Sequence, residues 1–114
     1  MSSIDSLLVT IVDKIKAIFG SSLVSVVLYG SYARGDFDVD SDIDIMAIID
    51  LPVSDITQYN TAIDILASKL SLETDACTTI SISLQDSMTL SKYGTTLPFF
   101  SNVLSEGVTL YAAR

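Results

Sequence analysis

An apolar run, Leu23-Val24-Ser25-Val26-Val27-Leu28-Tyr29, stops at Gly30-Ser31, and ten residues after Ser31 the sequence Asp42-Ile43-Asp44-Ile45 opens a second apolar run. This pattern reads as strand, tight turn, strand. Side chains alternate faces along a strand, so Asp42 and Asp44 point one way while Ile43 and Ile45 enter the core. Two carboxylates on one face invite a divalent cation.

The remaining composition narrows what that cation is. The chain has no histidine and one cysteine, Cys77, which excludes imidazole chemistry, an internal disulfide and a zinc spacing. A metal site here must use oxygen ligands, which suits Mg²⁺ or Mn²⁺ and suits zinc poorly. With 114 residues, 49% of them hydrophobic, the chain is expected to form one globular domain over residues 1–114. Six Lys and Arg against fourteen Asp and Glu give a net charge of −8. That balance speaks against direct nucleic-acid binding, which needs cations facing phosphates, but is compatible with one nucleotide bound together with metal. Neither a charged leader with a long apolar block nor an apolar segment of about 18 residues is present, so no secretory signal or membrane span is expected. A cytoplasmic protein is the default expectation; self-association is left open.

Residues 4–19 carry Ile4, Leu7, Leu8, Ile11, Ile15, Ile18 and Phe19 at helical spacing, which predicts an amphipathic helix ending at Gly20. The strand at 23–29 follows, with Val24, Val26 and Leu28 alternating against Ser25, Val27 and Tyr29 and both faces buried. Tyr32-Ala33-Arg34 begins a short helix, residues 36–40 form a polar loop, and 41–49 form the second strand. Ser54 or Asp55 is expected to cap a helix reaching about residue 70, with Ile56, Tyr59, Ile63, Leu66, Ala67 and Leu70 inward. A third strand is expected over 75–84, with Ile80, Ile82 and Leu84 on the core face and Asp75, Cys77, Thr79, Ser81 and Ser83 on a cleft face. Short helices at 86–93 and from 97 onward, then a strand at 106–111 after a glycine cap, complete an α/β (α+β) domain, a small mixed sheet flanked by helices.

The central stretch has the parts that phosphoryl or nucleotidyl transfer requires, namely positioning and neutralisation of phosphate charge. Gly30 would let the backbone approach a phosphate, Ser31 would offer a hydroxyl and amide groups, and Arg34, the only cation of residues 28–35, would meet a phosphate. Asp42 and Asp44 would hold the metal. Gly30-Ser31, ten intervening residues and Asp42-Ile43-Asp44 resemble the signature of the polymerase-beta-type nucleotidyltransferase superfamily, and the string from Gly30 to Ile45 is similar to its minimal nucleotidyltransferase (MNT) branch. The pattern Leu97-Pro98-Phe99-Phe100, Val103, Glu106-Gly107-Val108 and Tyr111 also resembles the tail of small members, so the resemblance covers nearly the whole chain.

The resemblance implies the nucleotidyltransferase fold and transfer of a nucleoside monophosphate, AMP from ATP, to a hydroxyl acceptor. It implies two Mg²⁺ (or Mn²⁺) ions on Asp42 and Asp44, with a third acid, matched here by Asp75, binding the catalytic ion and helping to deprotonate the acceptor. If the third strand begins later than expected, Glu73 or no residue takes that part. Minimal members often accompany a helical HEPN partner as antitoxin, and some adenylylate a tyrosine of it. The other readings are a catalytically silent nucleotide- or partner-binding module and the catalytic half of an aminoglycoside-type nucleotidyltransferase. The chain ends where a helical substrate domain would begin, so the acceptor is expected on another polypeptide.

Plainer readings exist for several residues. Asp42 and Asp44 could belong to a solvated edge strand, and Arg34 could pair with Asp36 or Asp38, a contact worth at most about 1 kcal/mol. Cys77 reads as buried filler, and Phe99, Phe100 and Tyr111 as core or as a partner patch. Asp36, Asp38 and Asp40 lack the glycine and distal glutamate of a calcium loop.

Overall fold

The computed structural model describes residues 3–36, 42–73, 79–93, 101, 103 and 105–113. Helix α1 (Ser3–Phe19) ends where Gly20 takes a φ of +57°, and a single 3₁₀ turn, Gly20–Ser22, leads into strand β1 (Leu23–Tyr29). The turn at Gly30 starts the four-residue helix α2 (Ser31–Arg34), and strand β2 (Ile43–Ile49) follows. Helices α3 (Val53–Ile56) and α4 (Asn60–Glu73) flank a 3₁₀ turn, Thr57–Tyr59; then come strand β3 (Ile80–Asp86), helix α5 (Ser87–Tyr93) and strand β4 (Val108–Ala112). Ser101, Val103, Ser105 and Glu106 are also helical.

The sheet order is β3-β2-β1-β4. β1 pairs antiparallel with β2 and with β4, while β2 and β3 run parallel. A parallel neighbour cannot be reached by a hairpin, so α3 and α4 serve as the crossover between β2 and β3. The sheet is therefore mixed, as the sequence pattern predicts.

Period-two burial divides the sheet between two cores. Ile43, Ile45, Ala47 and Ile49 of β2 join Ile11, Ile15 and Phe19 of α1 and Ile56, Ile63 and Leu70 of the crossover in the main core. Burying each such aliphatic side chain stabilises the fold by roughly 1.5–3 kcal/mol. On the other face Met46 and Ile48 meet Val27, Val103 and the half-buried Leu90 in a smaller cluster. Asp44 lies on this second, thinly covered face.

Three expectations change. The pairing of β1 with β2 shifts register between Leu23 and Ser25, so one extra residue enters β1 at Val24. Leu23, Val26 and Leu28 consequently face the main core, and Val24 packs against the smaller one rather than sharing a face with Val26. The crossover is not one helix capped by Ser54 or Asp55. It starts after Pro52, whose carbonyl accepts the amides of Asp55 and Ile56 at 3.0 and 3.1 Å. It then tightens at Thr57–Tyr59, where the Thr57 hydroxyl donates to the Ser54 carbonyl at 3.0 Å. Finally, β3 as described runs Ile80–Asp86, with Thr79 outside it, and residues 75–78 of the expected strand lie outside the described residues. Ser71 fixes that start: its Oγ accepts the Ile80 amide at 2.9 Å while donating to the Ala67 carbonyl at 2.8 Å.

Candidate active site

The turn after β1 is built by a glycine in a conformation that other residues avoid. Gly30 has φ +75° and ψ −153°, a region populated almost only by glycine. Its carbonyl accepts the amides of Ala33 and Arg34, both at 3.1 Å, which starts α2 at once. The Ser31 carbonyl accepts Gly35 at 2.9 Å and Asp36 at 3.2 Å, and Gly35, at φ +82°, ends the helix. In so short a helix the Ser31 amide has no intrahelical acceptor.

β2 brings its acid directly to this turn. Tyr29 is the register partner of Asp44, so Asp44 lies next to Gly30. A Cβ on Gly30 would collide with the Asp44 carboxylate oxygen Oδ2. Gly30 is therefore required twice, for its backbone angles and for the space that Asp44 occupies.

Asp42 precedes β2 and is exposed; Asp44 is half-buried. Burial, and then the nearby Asp42 charge, push the Asp44 carboxyl above the usual carboxylate range, while Arg34 pulls it down. The structure thus brings Gly30, Ser31, Arg34, Asp42 and Asp44 to one end of the sheet. Arg34 is paired there: its Nε donates to Asp36 Oδ2 at 3.3 Å, and its Nη1 lies 3.6 Å from Glu106 Oε2. The hydrogen bond and charge of Asp36 lead in holding the guanidinium in its charged form.

The third acid is not placed. Asp75 lies outside the described residues, as do Cys77, Phe99 and Phe100, and among the described residues no three acidic or cysteine side chains gather as a metal-binding group. Among the described residues, Asp42 and Asp44 are flanked by Thr79, just before β3, whose carbonyl accepts the Ile43 amide at 2.9 Å, and by Ser81, the register partner of Asp44. Neither is a carboxylate. Glu73, the alternative, is the exposed last residue of α4.

Sequence reasoning missed two neighbours: Glu106 reaches Arg34, and Tyr29 stands opposite Asp44, with its hydroxyl 3.5 Å from Ser83 Oγ. Ser81, expected on the cleft face, flanks Asp44 from β3. Only the strand order and register bring them in, and no local motif encodes either. Tyr111 is half-buried against the main core, with Lys16 Nζ 4.7 Å from its ring centroid, which supports the core reading of that residue.

The donor set fits a hard cation. Two carboxylates, with Asp42 close enough to raise the Asp44 carboxyl, beside a turn with no spare volume, supply oxygen ligands and a negative field.

Comparison with known proteins gives the family of the chain and relatives of its fold. Residues 8–94 match the nucleotidyltransferase domain family. A curated protein of Methanocaldococcus jannaschii, described as a candidate protein adenylyltransferase, is 32% identical over 100 residues, which are 88% of this chain and 90% of that protein. The crystal structure of a candidate nucleotidyltransferase from Sulfolobus solfataricus superposes with a TM-score of 0.57 at 20% identity, covering 95% of this chain and 79% of the other. A chain from the complex of tri-AMPylated HEPN toxin with MNT antitoxin of Shewanella oneidensis superposes with a TM-score of 0.50 at 21% identity, covering 94% and 71%. At those identities the two structures speak for the fold alone.

Proposed function

The chain belongs to the nucleotidyltransferase domain family, and from that premise we propose that it transfers AMP from ATP to a hydroxyl group of a helical HEPN-type partner, acting as the antitoxin of the pair. The observation that carries the reading is the fit of Gly30 to Asp44: the turn that would receive the phosphates and the carboxylate that would hold the metal are built against each other. The archaeal relative, described as a candidate protein adenylyltransferase, supports adenylyl transfer to protein; the Shewanella complex, alike in fold, supplies the kind of acceptor we propose, a HEPN toxin that carries AMP.

In this reading residues 1–114 act as one catalytic domain. Asp42 and Asp44 would hold Mg²⁺, which when bound would neutralise phosphate charge and make the α-phosphorus a better electrophile. The Gly30-Ser31 turn and Arg34 orient the triphosphate. The acceptor oxygen attacks the α-phosphorus, the bond to pyrophosphate breaks, and the hydroxyl proton passes to a carboxylate, the part proposed for Asp75. Positioning and electrostatics carry this chemistry, and the acidic end of the sheet is arranged for both.

Titration calorimetry tests the binding half. ATP should bind the parent more tightly with Mg²⁺ than without it, and the gain should vanish in Asp42→Asn/Asp44→Asn. Equal affinities for parent and variant would remove the ligand assignment.

A second reading has one observation in its favour. Among the described residues, those beside the pair are Thr79 and, on β3, Ser81, neither of them a carboxylate. A site left with two acids could bind nucleotide and partner without catalysing transfer.

A further inference from the structure

Arg34 follows the Gly30-Ser31 turn by one helical turn, and its charge is felt at Asp44, whose pKa it lowers. The guanidinium nevertheless faces two carboxylates. Asp36 is a local partner from the same loop, whereas Glu106 comes from the far end of the chain.

The backbone that delivers Glu106 is fixed. The Gly107 amide donates to the Val103 carbonyl at 2.9 Å, and Val108 is the register partner of Leu28. A Cβ on Gly107 would collide with the Val103 carbonyl and the Val27 side chain. Glu106 thus sits just before β4, the neighbour of β1, and faces Arg34 on α2, which follows β1 after the Gly30 turn.

The pair is poorly suited to stabilising the fold. The side chains of Arg34, Asp36 and Glu106 are 43%, 61% and 46% exposed, and exposed pairs contribute little. The same exposure makes them cheap to exchange. Two carboxylates on one guanidinium leave surplus negative charge beside Asp42 and Asp44, where a polyphosphate would have to settle.

We propose that Glu106 is a counter-ion that competes with the nucleotide phosphates for Arg34 and so sets how tightly the triphosphate is held. This inference rests on the nucleotide-binding reading. Glu106 touches no reacting atom; it acts through Arg34.

The test is a set of ATP dissociation constants, measured at low salt by calorimetry alongside thermal midpoints. Glu106→Gln should bind ATP about fivefold more tightly than the parent, the size expected when one exposed pair no longer competes. Its thermal midpoint should stay at the parent value. In an Arg34→Gln background the same substitution should give no more than Asp55→Asn, which removes an exposed carboxylate from α3 after the far end of β2. Unchanged or weaker ATP binding in Glu106→Gln, or an equal gain without Arg34, would overturn the proposal while leaving the nucleotide reading intact. A parent that binds no ATP would overturn both.

Discussion

Asp44 is held under tension that a cation would relieve. Its carboxyl is shifted upward by burial and by Asp42, and Gly30 is denied a side chain to make room for it. A carboxyl whose folded-state pKa exceeds its unfolded value favours the fold in its protonated form. Its ionisation therefore costs stability, fully so above the raised pKa, and the cost disappears below the unfolded value. In metal-free protein, Asp44→Asn should raise the denaturation midpoint at pH 7, and the gain should be gone by about pH 3, where the aspartate is protonated in both states. Denaturant titrations in chelator at the two pH values check this, and a loss of stability at pH 7 would mean that Asp44 serves the fold rather than the site. Such an exchange of stability for chemistry is common where like charges are gathered for catalysis.

At the scale of elements, the sheet is carried by patterns visible in the chain, while its connections are not. β1 was legible from seven apolar-rich residues before a glycine, and β2 from the alternation of Asp42 and Asp44 with isoleucines, because strand period is written locally. The bulge at Val24, the Pro52 start of the crossover and the start of β3 at Ile80 were not, because each depends on register or on a hydrogen bond between distant residues such as Ser71 and Ile80. The pair Gly30 and Asp44 could be named from spacing, yet their mutual fit and the approach of Glu106 needed the antiparallel pairings of β1 with β2 and β4. The β3–α5 junction offers a test of the same logic. Asp86, buried, accepts the Thr89 amide at 2.8 Å and Gln85 Nε2 at 3.0 Å, so it caps α5 from the end of β3. Asp86→Ala should cost about 1–2 kcal/mol in chemical denaturation, the usual loss for a helix cap; a cost near zero would show that the smaller core alone holds α5.

Taken whole, the molecule is an acidic nucleotidyltransferase domain whose candidate site lies at one end of a four-stranded sheet, with a net charge of −8. No helix among the described residues is long and apolar enough to cross a membrane. A net charge of this sign would steer a basic partner surface toward the molecule, as the proposed protein acceptor requires. Whether the protein transfers AMP is decided by labelled ATP. The parent is incubated with Mg²⁺, ATP labelled on the α-phosphate and the HEPN-type protein proposed as its partner, and the proteins are separated by mass. Label should appear on the partner, and Asp42→Asn or Asp44→Asn should abolish it. A complex that forms and binds ATP yet leaves the partner unlabelled would contradict transfer and establish the protein as a binding module.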